Sequence, residues 1–343
     1  MDKKRIVLAL QGGGSHGAFT WGVLESLLND ERLEIEGFSG TSAGAMNAAA
    51  AVQGLIRGGT AGAVKSLEDY WRGVHELARR VAPLSFDPIG TSSGNYNLDT
   101  SPAMLLKPWL GPFLAHYSPY THNPENANPF RDFVGSFFDF EALRNCERWK
   151  MFFAATHVGT GKIKLFTNAD ISLDVLMATT CLPTAFQAVE VDGEYYWDGG
   201  YIANPAIFPL INECTAKDIV VVQLTKSYIA HLPKQRAQIL DRFSEITFNS
   251  CLVREIRAVY FMTRLLDEGK VVDPSLRRIN LHVIKDDTTF NGLSSASTMN
   301  TDWVFLHKLR RAGQRSGEKW IRDYYDELGQ DMPFHKIVFD DYI

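Results

Sequence analysis

Phe38-Ser39-Gly40-Thr41-Ser42-Ala43-Gly44-Ala45-Met46-Asn47 sets a serine in a G-x-S-x-G frame between a strand-like run, Ile35 to Gly40, and an alanine-rich helix-like run, Ala45 to Val52. In such a frame the strand ends, the chain turns too sharply for a side chain at Gly40 or Gly44, and the serine projects from the top of the bend. Ser42 then lies at a helix N-terminus, where unpaired N–H groups and the helix dipole favour negative charge on a reacting oxygen. Two readings fit these ten residues: a nucleophile, or a serine that only caps an alanine-rich helix.

Upstream, Arg5 to Leu10 is a short apolar run that suits a strand buried on both faces of a parallel sheet. It leads into Gln11-Gly12-Gly13-Gly14-Ser15-His16-Gly17 and a helix-like run from Thr20 to Leu28. Gly12, Gly14 and Gly17 satisfy G-x-G-x-x-G, so a dinucleotide site is a rival reading. That site needs an acid at the end of the second strand, but Glu34 and Glu36 fall at its beginning and Gly40-Thr41-Ser42 hold its end. A glycine loop whose successive N–H groups turn toward one point instead suits an oxyanion hole, formed by Gly12, Gly13 and Gly14 with Ala43 after the serine. Adjacent parallel strands put both turns at one sheet edge, where they share a crevice.

The 343 residues are 45% hydrophobic and 22% charged, as in a soluble globular protein with a large core. A net charge of −5 and the lack of a Lys/Arg cluster give no electrostatic reason to expect nucleic acid. Cys146, Cys181, Cys214 and Cys251 show no C-x-x-C spacing, so they read as reduced core thiols rather than a metal site or a disulfide framework. The apolar run after Lys3, Lys4 and Arg5 is too short for a signal peptide or a membrane span, and a cytoplasmic location is the expectation.

Downstream, Leu55 to Gly62 reads as a glycine-rich loop, and Ala63 to Val81 has helical periodicity. Eight of the fourteen prolines then fall between Pro83 and Pro129, interleaved with aromatics. Residues 83–140 read as an insertion of short helices and ordered loops folded over the catalytic edge, either a structural cap or a membrane-contacting lid. Alternation predicts one hairpin over 147–168 and a second over 189–197, the latter turning at Asp192-Gly193. A short helix over 173–180 lies between them, and the second hairpin delivers Asp198-Gly199-Gly200.

With these three blocks in order, the chain resembles the patatin-like phospholipases, bacterial acyl hydrolases related to the plant storage lipase. The resemblance rests on Gly12-Gly13-Gly14-x-x-Gly17, Gly40-x-Ser42-x-Gly44 and Asp198-Gly199-Gly200, with further matches at Ala178-Thr179, Leu182-Pro183, Phe186 and Asn204. It spans roughly 4–224. It implies a three-layer α/β fold with a mainly parallel central sheet flanked by helices. It also implies a serine nucleophile at Ser42, Asp198 as its sole partner in a Ser–Asp dyad, and the first loop as oxyanion hole. The chain departs from the family at His16, where Arg or Lys is usual, and at Pro205, which follows Asn204 directly rather than two places on.

The rest reads as a buried strand over 218–224, a long amphipathic helix over 234–268, a strand over 278–284 and a helix over 301–328. No linker separates a second unit, so residues 1–343 read as one α/β domain in which 225–343 form a helical extension with one added strand. The expected activity is hydrolysis of lipid carboxylic esters by Ser42 and Asp198 through an acyl-enzyme, without metal or cofactor, on a lipid substrate and with contact to a membrane or micelle surface. The alternatives are a nucleotide-dependent oxidoreductase using the glycine loop and a non-catalytic lipid-binding protein. A Ser–His–acid triad would instead recruit His16, His157 or His282.

Overall fold

The computed structural model describes residues 3–106, 118–226, 228–229, 232–273, 276–331 and 342. Its centre is the strand predicted from Arg5 to Leu10. This is β1 (Lys4–Leu10), whose last five residues are wholly buried. β1 lies parallel to β2 (Leu33–Gly40) on one side and to β7 (Asp218–Val222) on the other. β3 (Lys150–His157) extends the parallel set beyond β2, and β8 (Asn280–Ile284) extends it beyond β7. β4 (Ile163–Phe166), β5 (Val189–Val191) and β6 (Glu194–Asp198) add antiparallel pairings and complete an eight-stranded sheet.

Strand side chains alternate between the two faces, and the core divides accordingly. Ile6, Leu8 and Leu10 pack with α1 (Gly17–Asn29), α2 (Ala43–Val81) and, at the end of the chain, α4 (Trp303–Tyr324). Val7 and Ala9 pack on the other face with Leu210 and with α3 (Arg236–Asp267) through Leu252 and Ile256. The architecture is therefore a mixed α/β sheet between two helical layers. Buried Glu25 locks α1 to α4, accepting hydrogen bonds from Arg310 at 2.8 and 2.7 Å and from Gln314 at 2.6 Å.

Helix α2 departs from the expected loop over 55–62. Only Gly58 and Gly59 leave helical geometry, Gly59 at a φ of +59° that favours glycine, so the chain folds back as two helical arms rather than a long loop. In the 83–140 insertion, the described aromatics other than the exposed Tyr120 turn inward. Phe133, Phe137 and Phe138 pack on Tyr70 of α2, and Tyr96 stacks on Phe305. The aromatics at 109, 113 and 117 lie outside the described residues. Among described residues no helix is long and apolar enough to cross a membrane.

Candidate active site

Register brings the motif-bearing turns together. Leu10 pairs with Gly40 and with Val222, so the glycine loop, the Ser42 turn and the segment after β7 all leave the sheet at one edge. Asp198 arrives there from the opposite direction. β4 and β6 both pair with Ala155 and Thr156 of β3, so they occupy opposite edges of that strand. β2 meets the same Phe153 as β4, which leaves β2 and β6 end to end along one edge. The last residue of β6 is Asp198, and it stops where β2 turns into Ser42.

Ser42 has a φ of +54°, an uncommon conformation for a residue with a side chain, and immediately precedes α2. The turn is held from both sides. Ser42 N–H donates to Thr179 Oγ1 at 2.9 Å, and Thr41 Oγ1 donates to the Ala203 carbonyl at 2.7 Å. A Cβ on Gly44 would fall on the Leu10 carbonyl oxygen, so only glycine lets the helix start this close to β1.

Asp198 is buried, and burial pushes its pKa up to about 6. The Gly200 N–H, 2.7 Å from Oδ1, and the nearby Ser42 hydroxyl pull the other way. Asp198 N–H donates to the Cys181 carbonyl at 2.8 Å, and its own carbonyl accepts from Thr156 Oγ1 at 2.8 Å. The carboxylate is thus held by its backbone on both sides.

The glycine loop is organised by two residues that carried no assigned role in the sequence. Gln11 is buried; its Oε1 accepts from the Leu224 and Thr225 N–H groups at 2.7 and 3.0 Å, which ties the loop to the end of β7. Asn204 is buried too, and its Oδ1 accepts from the Gly12 N–H at 2.7 Å. Gly12, expected among the oxyanion donors, therefore has its N–H already committed. The N–H groups of Gly13, Gly14 and Ala43 have no protein acceptor among the described residues, and all three residues line the cavity in front of Ser42. Gly17, Gly40, Gly44, Gly199 and Gly200 are placed around this junction as backbone packing.

None of the histidines named for a triad is hydrogen-bonded to Ser42, although His16 lines the same cavity. His16 is buried against Phe290 and Phe305, with its pKa lowered to about 3 first by burial and then by Lys226. Ser297 Oγ donates to the Ser294 carbonyl at 2.6 Å, so the 2.7 Å contact to His16 Nε2 is an N–H donated by a neutral ring. His157 bonds Glu194 at 2.9 Å on the exposed hairpin, and His282 bonds Asp218 at 3.0 Å near the amino ends of β7 and β8. The rival cofactor residues also sit at that opposite edge, where Glu36 accepts from the Thr215 and Ala216 N–H groups and Glu34 pairs with Arg5.

The cavity holds about 570 Å³ and is walled mainly by apolar side chains, among them Met46, Trp71, Phe248, Phe290 and Leu293. Its cover comes from α3 and from 290–301; of the described insertion, only Phe130 lines it. Lys226 is the one Lys or Arg among its described lining residues and is bound to Glu245 at 3.1 Å and to the Leu293 carbonyl at 2.7 Å. Cys181, Cys214 and Cys251 are buried free thiols and Cys146 is half-buried. No group of three or more metal-ligating side chains occurs among the described residues.

Residues 8–211 match the family model described as Patatin-like phospholipase. In structure the chain is similar to VipD from Legionella pneumophila, at 14% identity and a TM-score of 0.43, with 96% of this chain and 67% of that chain covered. It is also similar to ExoU in its complex with SpcU from the type III secretion system of Pseudomonas aeruginosa. There the identity is 14% and the TM-score 0.37, with 94% of this chain and 52% of that chain covered. The chain thus spans about two-thirds of the first of these proteins and about half of the second. No curated protein matches the sequence.

Proposed function

The chain belongs to the patatin-like phospholipase family, a family of lipid ester hydrolases, and from that premise we propose that it cleaves lipid carboxylic esters by a Ser42–Asp198 dyad. The observation that carries the reading is the buried Asp198 carboxylate, its pKa raised to about 6, lining one apolar cavity with a serine on a strained turn. An ordinary aspartate is a poor base for a serine hydroxyl. Desolvation raises the basicity of this one while leaving it mostly ionised at neutral pH, which is the compromise a general base requires.

In the reaction, Ser42 Oγ attacks the ester carbonyl carbon as its proton passes to Asp198. Negative charge develops on the carbonyl oxygen, and the N–H groups of Gly13, Gly14 and Ala43, at the start of a helix, stabilise it. Collapse breaks the bond to the alcohol, which leaves with the proton from Asp198. Water then attacks the acyl-serine, Asp198 takes its proton, and breakdown of the second tetrahedral species returns a proton to Ser42 and releases the fatty acid. His16 serves as a neutral support for the glycine loop rather than a cation. The apolar walls fit a fatty acyl chain. The phospholipid or lysophospholipid substrate class and contact with a lipid surface belong to this proposal as well.

The test is covalent labelling by a fluorophosphonate together with hydrolysis of a total lipid extract. Label mapped to Ser42, and fatty acid release lost in Ser42→Ala, are the expected results; labelling that survives Ser42→Ala removes the proposal.

A further inference from the structure

We infer that the outward face of the first turns of α3, with the rim at Met299, is a docking surface that seats the protein on a lipid bilayer or micelle. This inference rests on the reading that the cavity accepts a lipid ester. The two faces of this helix do different things. At about 100° per residue, Asp241, Ser244, Glu245 and Phe248 fall on one side, and these line the cavity. Ile239, Phe243 and Ile246 fall on the opposite side with Leu240 beside them. Phe243 is 68% exposed, and the other three are about half exposed. Leu232, just before the helix, is 78% exposed, and Met299, which lines the cavity, is 66% exposed.

Scattered exposed apolar side chains are ordinary, but a helix that walls a cavity inwardly and is apolar outwardly is not. The patch and the cavity share one helix, and Met299 is both exposed and part of the cavity wall. The Ser295–Met299 turn is also joined to the inner side of the helix by the hydrogen bond from Ser295 to Asp241.

Charge selects a lipid surface over a second copy of the chain. Lys234 and Arg236 are exposed at the start of the helix, beside the apolar side chains. Nearby acids are engaged on the inner side, Asp241 with Ser295 and Glu245 with Lys226 and Arg242. An apolar face flanked by cations fits an anionic lipid interface, whereas a two-fold contact through this face brings like charges together. Of the described aromatics of the 83–140 insertion, Tyr120 is exposed with its hydroxyl tied to the Ala188 N–H, while Phe133, Phe137 and Phe138 pack inward on Tyr70.

The experiment is flotation of the full chain with vesicles of phosphatidylcholine containing a minority of phosphatidylserine, comparing wild type with the double variant Phe243→Glu, Ile246→Glu. Placing two charges at a lipid contact should lower the vesicle-bound fraction by about tenfold or more. Neither residue lines the cavity, so the rate on a short-chain ester below its micellar concentration should be unchanged. Equal flotation of variant and wild type overturns the inference. So does a wild-type dimer that the variant dissociates without any vesicle binding, because that makes the face a subunit interface. If the double variant does not fold, Phe243→Trp replaces it: extra fluorescence quenching by brominated lipids, relative to wild type, is expected, and its absence overturns the inference. Flotation needs no turnover, so a protein that binds vesicles but hydrolyses no ester sinks the proposed activity and leaves the docking face standing.

Discussion

Replacing Asp198 with Asn should abolish ester turnover and at the same time make the fold more stable. Burial raises the pKa of the carboxyl from 3.8 to about 6. Between those values the folded protein binds more protons than the unfolded chain, so stability falls as pH rises through that window. The penalty is full above about pH 7 and absent below the unfolded pKa. A shift of about 2 units at about 1.4 kcal/mol each gives a penalty of about 3 kcal/mol. Asparagine has nearly the same shape, can still accept from the Gly200 N–H and carries no charge to desolvate. The unfolding entropy of 343 residues at about 2.1 cal/mol/K each is about 0.7 kcal/mol/K, so the variant's Tm should rise by about 4 °C. Scanning calorimetry of both proteins near pH 8 and near pH 4 reads this, with the gain present at the first and shrinking toward zero at the second. No rise near pH 8, or an equal rise at both pH values, refutes the reasoning.

Thr179→Val removes the acceptor of the Ser42 N–H and leaves a donor without its partner. It should cost about 1–3 kcal/mol in thermal or denaturant unfolding and lower kcat more than it raises KM, since the turn that aims the serine loosens. His16→Gln keeps a donor toward Ser297 and should retain activity within about threefold. With a pKa of about 3, His16 is neutral at working pH, so the pH profile of kcat/KM should not move; a profile displaced by a full unit contradicts its assignment as a neutral support.

The serine turn was legible because it is local: strand, glycine, serine, glycine and helix lie within a dozen residues, and steric exclusion at Gly44 acts between adjoining elements. The meeting of Ser42 with Asp198 was not legible from spacing. It depends on β6 running head-on into β2 along the edge of β3, a three-strand register that no single hairpin signals. Gln11 and Asn204 escaped a role for the same reason, since their partners lie at Leu224, Thr225 and Gly12 across the sheet edge. A polar residue set between a buried strand and a glycine loop was the available sign for Gln11. Composition marked the 83–140 insertion, but it cannot say which way an aromatic faces; Phe133, Phe137 and Phe138 found Tyr70 on α2 instead of the cavity. The glycines from 55 to 62 suggested a loop because glycine weakens a helix. Packing in α2 overrode that preference everywhere except at Gly58 and Gly59.

The most direct test of the account is the pH dependence of kcat/KM on a soluble short-chain ester. The wild type should rise through one ionisation with a midpoint of about 6, the pKa of Asp198, to a plateau at higher pH. His157→Gln and His282→Gln should keep that limb, and Asp198→Asn should have almost no activity at any pH. Wild-type rates in Asp198→Asn, or loss of the limb when one of those histidines is replaced, contradict the dyad.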